Sequence, residues 1–250
     1  MPSMITAIED DWVRTDEVEL RRALEIGASG NLRARVAYTF SQALAFVFAP
    51  SEQLPFITLR MVNCMEIARA SHKLETFRQT EEGRALLRER PVLDREQFAR
   101  LRELPAETLG GAYARFAEAR NLQPQFVPQP EHLDPDAAWA YKRSCDTHDI
   151  WHVVLNYETH LLAEATIALF IARQWGGAFL KTLGVLSTFF VLTRKPSLAG
   201  RLLAAARLAR SSKPLTGVYW ERRWETPLAE VRREFGIEPE SHPALAARSS

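Results

Sequence analysis

Apolar positions in this chain recur at helical spacing almost throughout, and the two-residue alternation of strands is scarce. "TDEVELRRALEI" predicts a short helix with Thr15 as its N-cap. "NLRARVAYTFSQALAFVFA" predicts a longer one, with Val36, Phe40, Ala43, Leu44 and Val47 along one side. "LPFITLRMVNCMEIARA" continues the pattern and places Cys64 among core residues. From "QTEEGRALLRERPVLD" to "LRELPAETLGGAYARFAEARNL" run short helices punctuated by Pro and Gly. "QPQFVPQPEHLDP", with Pro124, Pro128 and Pro130, is an extended connector. Asp134 then caps a helix that begins at Pro135 and runs to about Leu155. "NYET" ends it, and Thr159 caps a further helix from His160 to about Gln174. After Gly176 and Gly177, "AFLKTLGVLSTFFVLT" and "SLAGRLLAAARLAR" read as helices. In "WETPLAEVRREFGI", Thr226 caps, Pro227 starts and Gly236 stops a last one, with Leu228, Val231 and Phe235 inward. The expectation is an all-α, single-domain multi-helix bundle over residues 1–237, followed by a disordered polar tail at 238–250.

Composition narrows the function classes. The chain has 250 residues, 46% of them hydrophobic, enough for one sizeable core. Its 32 basic and 31 acidic side chains leave a net charge of +1, which gives no footprint for nucleic acid. Two cysteines exclude a disulfide framework and point to a reducing compartment. "MPSMITAIEDDW" has neither an apolar signal core nor an Arg-rich transit character. "GGAFLKTLGVLSTFFVLTRK" is interrupted by Lys181 and is too short to span a bilayer. A cytoplasmic or peripheral location follows as the expectation.

Candidate chemistry gathers in "THDIWHVVLNYETHLLAEATIALF", Thr147 to Phe170. His148 and His152 are four residues apart, so they lie about 40° apart on a helix. Tyr141 and Cys145 fall on the same face, and Asp149 lies on its flank. Glu164 stands alone in "LLAEATIALFIA", and an unpaired charge in such a setting is costly unless it is paired, neutralised or bound to metal. Twelve residues from His152, it points about a third of a turn away unless the chain breaks between them. The break expected at Asn156–Thr159 would let the second helix fold back toward the histidines. Two imidazoles with one or two carboxylates suit zinc, iron, cobalt or manganese. Asp149 is either a ligand or a group that orients a histidine. A zincin peptidase needs H-E-x-x-H, and Asp149 stands where its Glu would be. His72, His132 and His242 read as solvated, His160 as an exposed or capping group at a helix start, and Cys145 as a small buried residue rather than a ligand.

His148-Asp149-x-x-His152, eleven residues and then Glu164 resembles the H-D-x-x-H-x11-E signature of the coenzyme Q (ubiquinone) biosynthesis protein 4 family. "GRALLRERP", "LPAETLGGAYARFAEARNL" and "YWERRWETPLAEVRREFGI" resemble that family's other blocks in the same order, so the likeness covers roughly residues 75–237. The resemblance implies a helical protein, peripheral to a membrane, that binds a divalent metal through His148, Asp149, His152 and Glu164, with zinc the first candidate. It implies two roles: oxidative decarboxylation of a prenylated hydroxybenzoate-type lipid, the ring carboxyl giving way to a hydroxyl, or a non-catalytic scaffold for other ubiquinone biosynthesis proteins. A third possibility is a diverged relative serving another prenyl lipid. The missing transit peptide suggests a bacterial member, acting as a homodimer on the inner face of the cell membrane. The Leu, Phe and Ala residues of 161–208 would line an apolar trough for the lipid. The Phe- and Leu-rich 178–191, followed by Arg194, Lys195, Arg201, Arg207, Arg210 and Lys213, would meet the membrane surface.

Overall fold

The structure, a computed structural model, describes residues 17–49, 53–120, 122, 127–157, 167, 168, 170–174, 176–194 and 196–237. Helices dominate them, and the lone bridge outside helical structure is antiparallel, between Thr108 and Pro227. In chain order these are α1 (17–28), α2 (Leu32–Phe48), α3 (Leu54–Glu66), α4 (Ala70–Arg78), α5 (Glu81–Glu89), α6 (Arg95–Glu103) and α7 (Leu109–Glu118). Then come α8 (Pro135–Asp146), α9 (His148–Leu155), α10 (with helical residues at 167, 168 and 170–174), α11 (Ala178–Arg194), α12 (Ala199–Ser211) and α13 (Leu228–Glu234). The all-α expectation is met. Thr15, Pro124, Glu164, His160, His242 and the tail lie outside the described residues, as does the expected cap at Thr159. Contacts gather the chain into two compact units, one of residues up to 74 with 126–142, the other of 75–125 with 143 onward.

In the first unit α2 packs against α3. Ala23, Tyr38 and Cys64 form a buried cluster, so Cys64 is a core residue as its surroundings predict. The Tyr141 hydroxyl donates to Asn63 Oδ1 at 2.8 Å, both groups being buried. Tyr38 is the one buried residue of α2. The apolar side of α2 faces outward: Val36 is 51% exposed, Phe40 65% and Val47 70%.

The second unit is built on short, well-capped helices. Thr80, Asp94 and Thr108 each accept a backbone N–H three residues on, which opens α5, α6 and α7. The start of α7 is also tied to the chain before α13. Leu109 N–H donates to Thr226 O at 2.9 Å, Gly110 N–H to Trp224 O at 2.9 Å and Leu228 N–H to Glu107 O at 2.7 Å. The double glycine of "LGGAYARF" fits these close approaches: a Cβ on Gly110 would sit 3.1 Å from Trp224 O, and one on Gly111 would sit 2.0 Å from the carbonyl oxygen of Pro105, in the lead-in to α7. α9 packs against both α7 and α13. Trp151, Trp220, Phe77 and Phe170 are among the side chains fully buried here.

Two boundaries differ from the sequence reading. The helix expected to run from Pro135 to Leu155 is broken at Thr147. The Thr147 hydroxyl donates back to Arg143 O at 2.9 Å, and Ile150 N–H takes the shorter three-residue bond to Thr147 O. Such back-bonding by Thr competes with the regular ladder and bends it. The last helix begins at Leu228 rather than Pro227, with no side-chain cap from Thr226. Its other signals hold: Gly236 takes φ +70° just past the end, Val231 and Phe235 are buried, and Leu228 is half-buried. Asp134 caps α8 as expected, accepting from Asp136 N–H at 3.0 Å and Ala137 N–H at 3.1 Å.

Candidate metal centre

α9 is eight residues long and carries three donor side chains in its first five. His148, Asp149 and His152 each offer one ligand atom, and these atoms lie within 4.8 Å of one another. Among the described residues no other group of three His, Cys, Asp or Glu side chains is brought together in this way. The helical spacing read from the sequence accounts for it: positions i, i+1 and i+4 occupy one flank of the helix. His148 and Asp149 are 28% and 33% exposed, whereas His152 is buried. The cluster is thus open on one side and closed on the other.

Each donor has an identifiable orienting contact. The two imidazoles meet edge to face, with centroids 4.8 Å apart. His148 Nδ1 lies 3.4 Å from Asp149 Oδ1. Burial works to raise the Asp149 carboxyl, but the contact with His148, that ring's charge and the charge of His152 outweigh it and hold the group below the usual carboxylate range. His152 Nδ1 lies 3.3 Å from the Tyr157 carbonyl, a contact the ring makes only as an N–H donor. In that tautomer the lone pair sits on Nε2, the atom through which a histidine oriented in this way would bind a metal.

The carbonyl that orients His152 is presented by a tight helix end. Asn156 adopts the left-handed conformation (φ 57°, ψ 44°), and Tyr157 N–H donates to His152 O at 2.9 Å. Arg232, from α13, reaches across to the same end. Its Nε donates to Val154 O at 2.9 Å and its Nη2 to Val153 O at 2.8 Å. Val153 O thereby gains a donor beside Asn156 N–H, Val154 O is given one at the helix end, and a cation is placed at the negative end of the helix.

α7 supplies an aromatic wall. Phe116 stacks on His152, with centroids 5.7 Å apart and planes 25° from parallel. The Arg120 guanidinium lies 4.0 Å above the Phe116 ring. Tyr113 stacks on Trp224 at 5.9 Å. Burial, together with the charges of Asp149 and Asp146, pushes the Tyr113 phenol far above its ordinary range, so it stays protonated. None of Tyr113, Phe116, Tyr157 and Arg232 was marked by the sequence reading. Tyr113, Phe116 and Arg232 lie in "LGGAYARF" and "PLAEVRREF", within segments that carry the family resemblance but single out no site residue, and Tyr157 lies in "NYET", read as a helix break.

The structure brings His148, Asp149 and His152 together. Glu164, the fourth expected ligand, lies outside the described residues. Tyr141, expected on the histidine face, is buried with Asn63, and Cys145 is half-buried rather than buried and is not part of the cluster. His72 and His132 are exposed, as read.

Residues 31–241 match the family described as Coenzyme Q (ubiquinone) biosynthesis protein Coq4. The mitochondrial ubiquinone biosynthesis protein COQ4 homolog of Anopheles gambiae is 34% identical over 170 residues, 66% of this chain and 60% of that protein. Its counterpart in Drosophila grimshawi is 33% identical over 173 residues, 66% of this chain and 64% of the relative. The match thus spans less than two-thirds of the length of these relatives. Among solved structures, a candidate ubiquinone biosynthesis protein from Nostoc punctiforme superposes with a TM-score of 0.62, covering 83% of this chain and 99% of that one. At 20% identity, that likeness speaks for the fold.

Proposed function

The chain belongs to the Coq4 family of coenzyme Q (ubiquinone) biosynthesis proteins, and on that premise we propose that it acts in ubiquinone biosynthesis through a divalent metal held on α9. The observation that carries the reading is the convergence of the donor atoms of His148, Asp149 and His152 at a half-open helix flank. Two imidazoles and a carboxylate are a donor set that zinc takes readily, and iron, cobalt and manganese also accept. Glu164 completes the signature by sequence.

The reaction proposed is oxidative decarboxylation of a prenylated hydroxybenzoate-type ring with dioxygen as the two-electron oxidant: the carboxyl leaves as carbon dioxide, water supplies the hydroxyl that replaces it, and dioxygen is reduced to hydrogen peroxide. A bound Lewis-acidic cation would stabilise negative charge on the ring and its carboxylate. The chain's own residues prepare the place. The Tyr157 carbonyl fixes the His152 tautomer. Phe116 closes one wall against water and offers an apolar face to the ring, and Arg120 adds positive charge beside it. Protonated Tyr113 puts no further negative charge next to Asp149. A prenyl tail partitions into lipid, so the reading also puts the chain at a membrane surface, among other proteins of the pathway.

The test is turnover. Purified protein loaded in turn with zinc, iron, cobalt and manganese should convert a prenylated hydroxybenzoate-type acid to the hydroxylated ring with release of carbon dioxide, and His152→Ala should not. Protein that binds the metal and the lipid but turns over none, with any of the four, would replace the catalytic reading with that of a scaffold.

Arg232 gives a finer prediction. Without its two bonds the end of α9 frays, and the Tyr157 carbonyl that orients His152 goes with it. Arg232→Ala should weaken metal affinity about tenfold, the low end of what losing an orienting partner costs. Arg232→Lys, which keeps the charge but reaches fewer carbonyls, should recover part of it. Competition against a chelating dye measures this; unchanged affinity with lowered thermal stability would show that Arg232 only braces the fold.

A further inference from the structure

α13 is seven residues long and has no side-chain cap, yet it carries the arginine that closes the end of α9. Whatever fixes its last turn also fixes Arg232. The first turn of α13 is tied to the lead-in of α7 through Leu228 N–H and Glu107 O at 2.7 Å. The last turn is tied by side chains. Arg223, from the 3₁₀ turn Trp220–Arg223, meets Glu234 in a fork, Nε to Oε2 at 3.0 Å and Nη2 to Oε1 at 2.6 Å. One backbone bond, Lys213 N–H to Phe235 O at 3.0 Å, joins the chain just beyond.

The guanidinium of the fork is itself held. Nη1 and Nη2 donate to Glu82 Oε2 and Oε1 at 3.2 and 2.8 Å, and Nη1 donates also to Tyr219 O at 3.3 Å. Every N–H of Arg223 thus has an acceptor, and its side chain is only 14% exposed. Glu82 lies in the first turn of α5 and also accepts Tyr219 N–H at 3.1 Å. An isolated, exposed ion pair contributes little. This one is bidentate, mostly sheltered on its cationic side and anchored to a second helix. Arg232 stands two residues before Glu234, so a shift of that turn moves both. The end of α9 would follow, and with it the Tyr157 carbonyl that lies 3.3 Å from His152 Nδ1.

We propose that Arg223 and Glu234 are positioning residues for His152: their fork fixes the last turn of α13, from which Arg232 holds the end of α9 and the carbonyl that sets the ring. This gives charged residues of "YWERRWETPLAEVRREFGI" a task at the site, although neither belongs to the donor cluster. The proposal rests on the reading of α9 as a metal centre for its purpose only, since the state of the ring is read without metal.

The full-length protein, with isotopically labelled histidine and stripped by chelator, is observed by NMR of the imidazole nitrogens. Mildly alkaline buffer keeps free imidazole neutral, so the shifts report which nitrogen carries the proton. The His152 signal is the one lost in His152→Ala. Wild type should hold this ring as the Nδ1–H tautomer. Glu234→Ala should raise the ratio of Nε2–H to Nδ1–H about threefold to tenfold, the effect of losing a charged hydrogen bond at partial exposure. Alanine is the better helix former, so weakened helix propensity cannot produce this change. Glu89→Ala removes bonds to Tyr219 and Arg222 in the same network and leaves α13 untouched, so its ratio should match wild type. In an Arg232→Ala background, already shifted, Glu234→Ala should add nothing. Circular dichroism confirms that each variant keeps its helices. An unchanged ratio in Glu234→Ala overturns the proposal. So do an equal shift in Glu89→Ala, a full further shift in the Arg232→Ala background, and a wild-type ring that is mainly Nε2–H. A protein that gives the expected ratios and yet binds no metal would keep the fork in its role and lose the metal centre.

Discussion

Arg143→Ala is expected to cost the fold about 3–5 kcal/mol, the penalty of breaking a buried ion pair from one side. Arg143 lies in the last turn of α8 and is 5% exposed; its partner Glu221, in the 3₁₀ turn Trp220–Arg223, is 10% exposed. The two form a parallel fork, Nη1 to Oε1 at 2.6 Å and Nη2 to Oε2 at 2.7 Å. The Arg143 carbonyl also accepts the Thr147 hydroxyl at the break before α9, so the pair braces the turn from which the histidines are presented. Alanine at 143 strands the Glu221 carboxylate where little water reaches it. Most of the loss comes from that stranded charge, so the paired replacement Arg143→Met with Glu221→Leu should recover much of the stability. Urea unfolding checks both. The midpoint should fall steeply for the single variant at unchanged slope and return toward wild type for the double. A loss below about 1 kcal/mol would mean that the pair behaves as a solvated surface bridge.

The helical class, the cap at Asp134, the end at Asn156, the stop at Gly236 and the core position of Cys64 were all legible in sequence, because each rests on local chemistry. The histidine flank of α9 was legible for the same reason, since i and i+4 on a helix meet without help from the rest of the fold. What was not legible depended on partners distant in sequence. Phe116 and Arg232 come from α7 and α13, and only the packing of both on α9 makes them neighbours of the site. The break at Thr147 was missed because a Thr inside a helical pattern bends the helix only when its hydroxyl bonds backward. The apolar side of α2 was read correctly as a stripe, but periodicity states that a side is apolar and not what covers it.

Loss of one histidine should remove the metal altogether. His152 is the buried member of the cluster, and its ring is already oriented by the Tyr157 carbonyl and held against Phe116. Taking it away leaves a single imidazole on an exposed flank, too few strong donors to keep a transition metal in competition with water and buffer. Asp149→Ala separates two roles: loss about 10–100-fold if the carboxylate orients His148, and complete loss if it is itself a ligand. Zinc, iron, cobalt and manganese content per chain, measured on wild type, His148→Ala and His152→Ala purified side by side, tests the central claim most directly. Near-equimolar metal in the wild type, its loss in both variants and an unchanged helical circular dichroism signal are the expected result. Equal metal content in all three proteins, or none in the wild type after loading with each of these ions, would contradict the assignment of α9 as a metal centre.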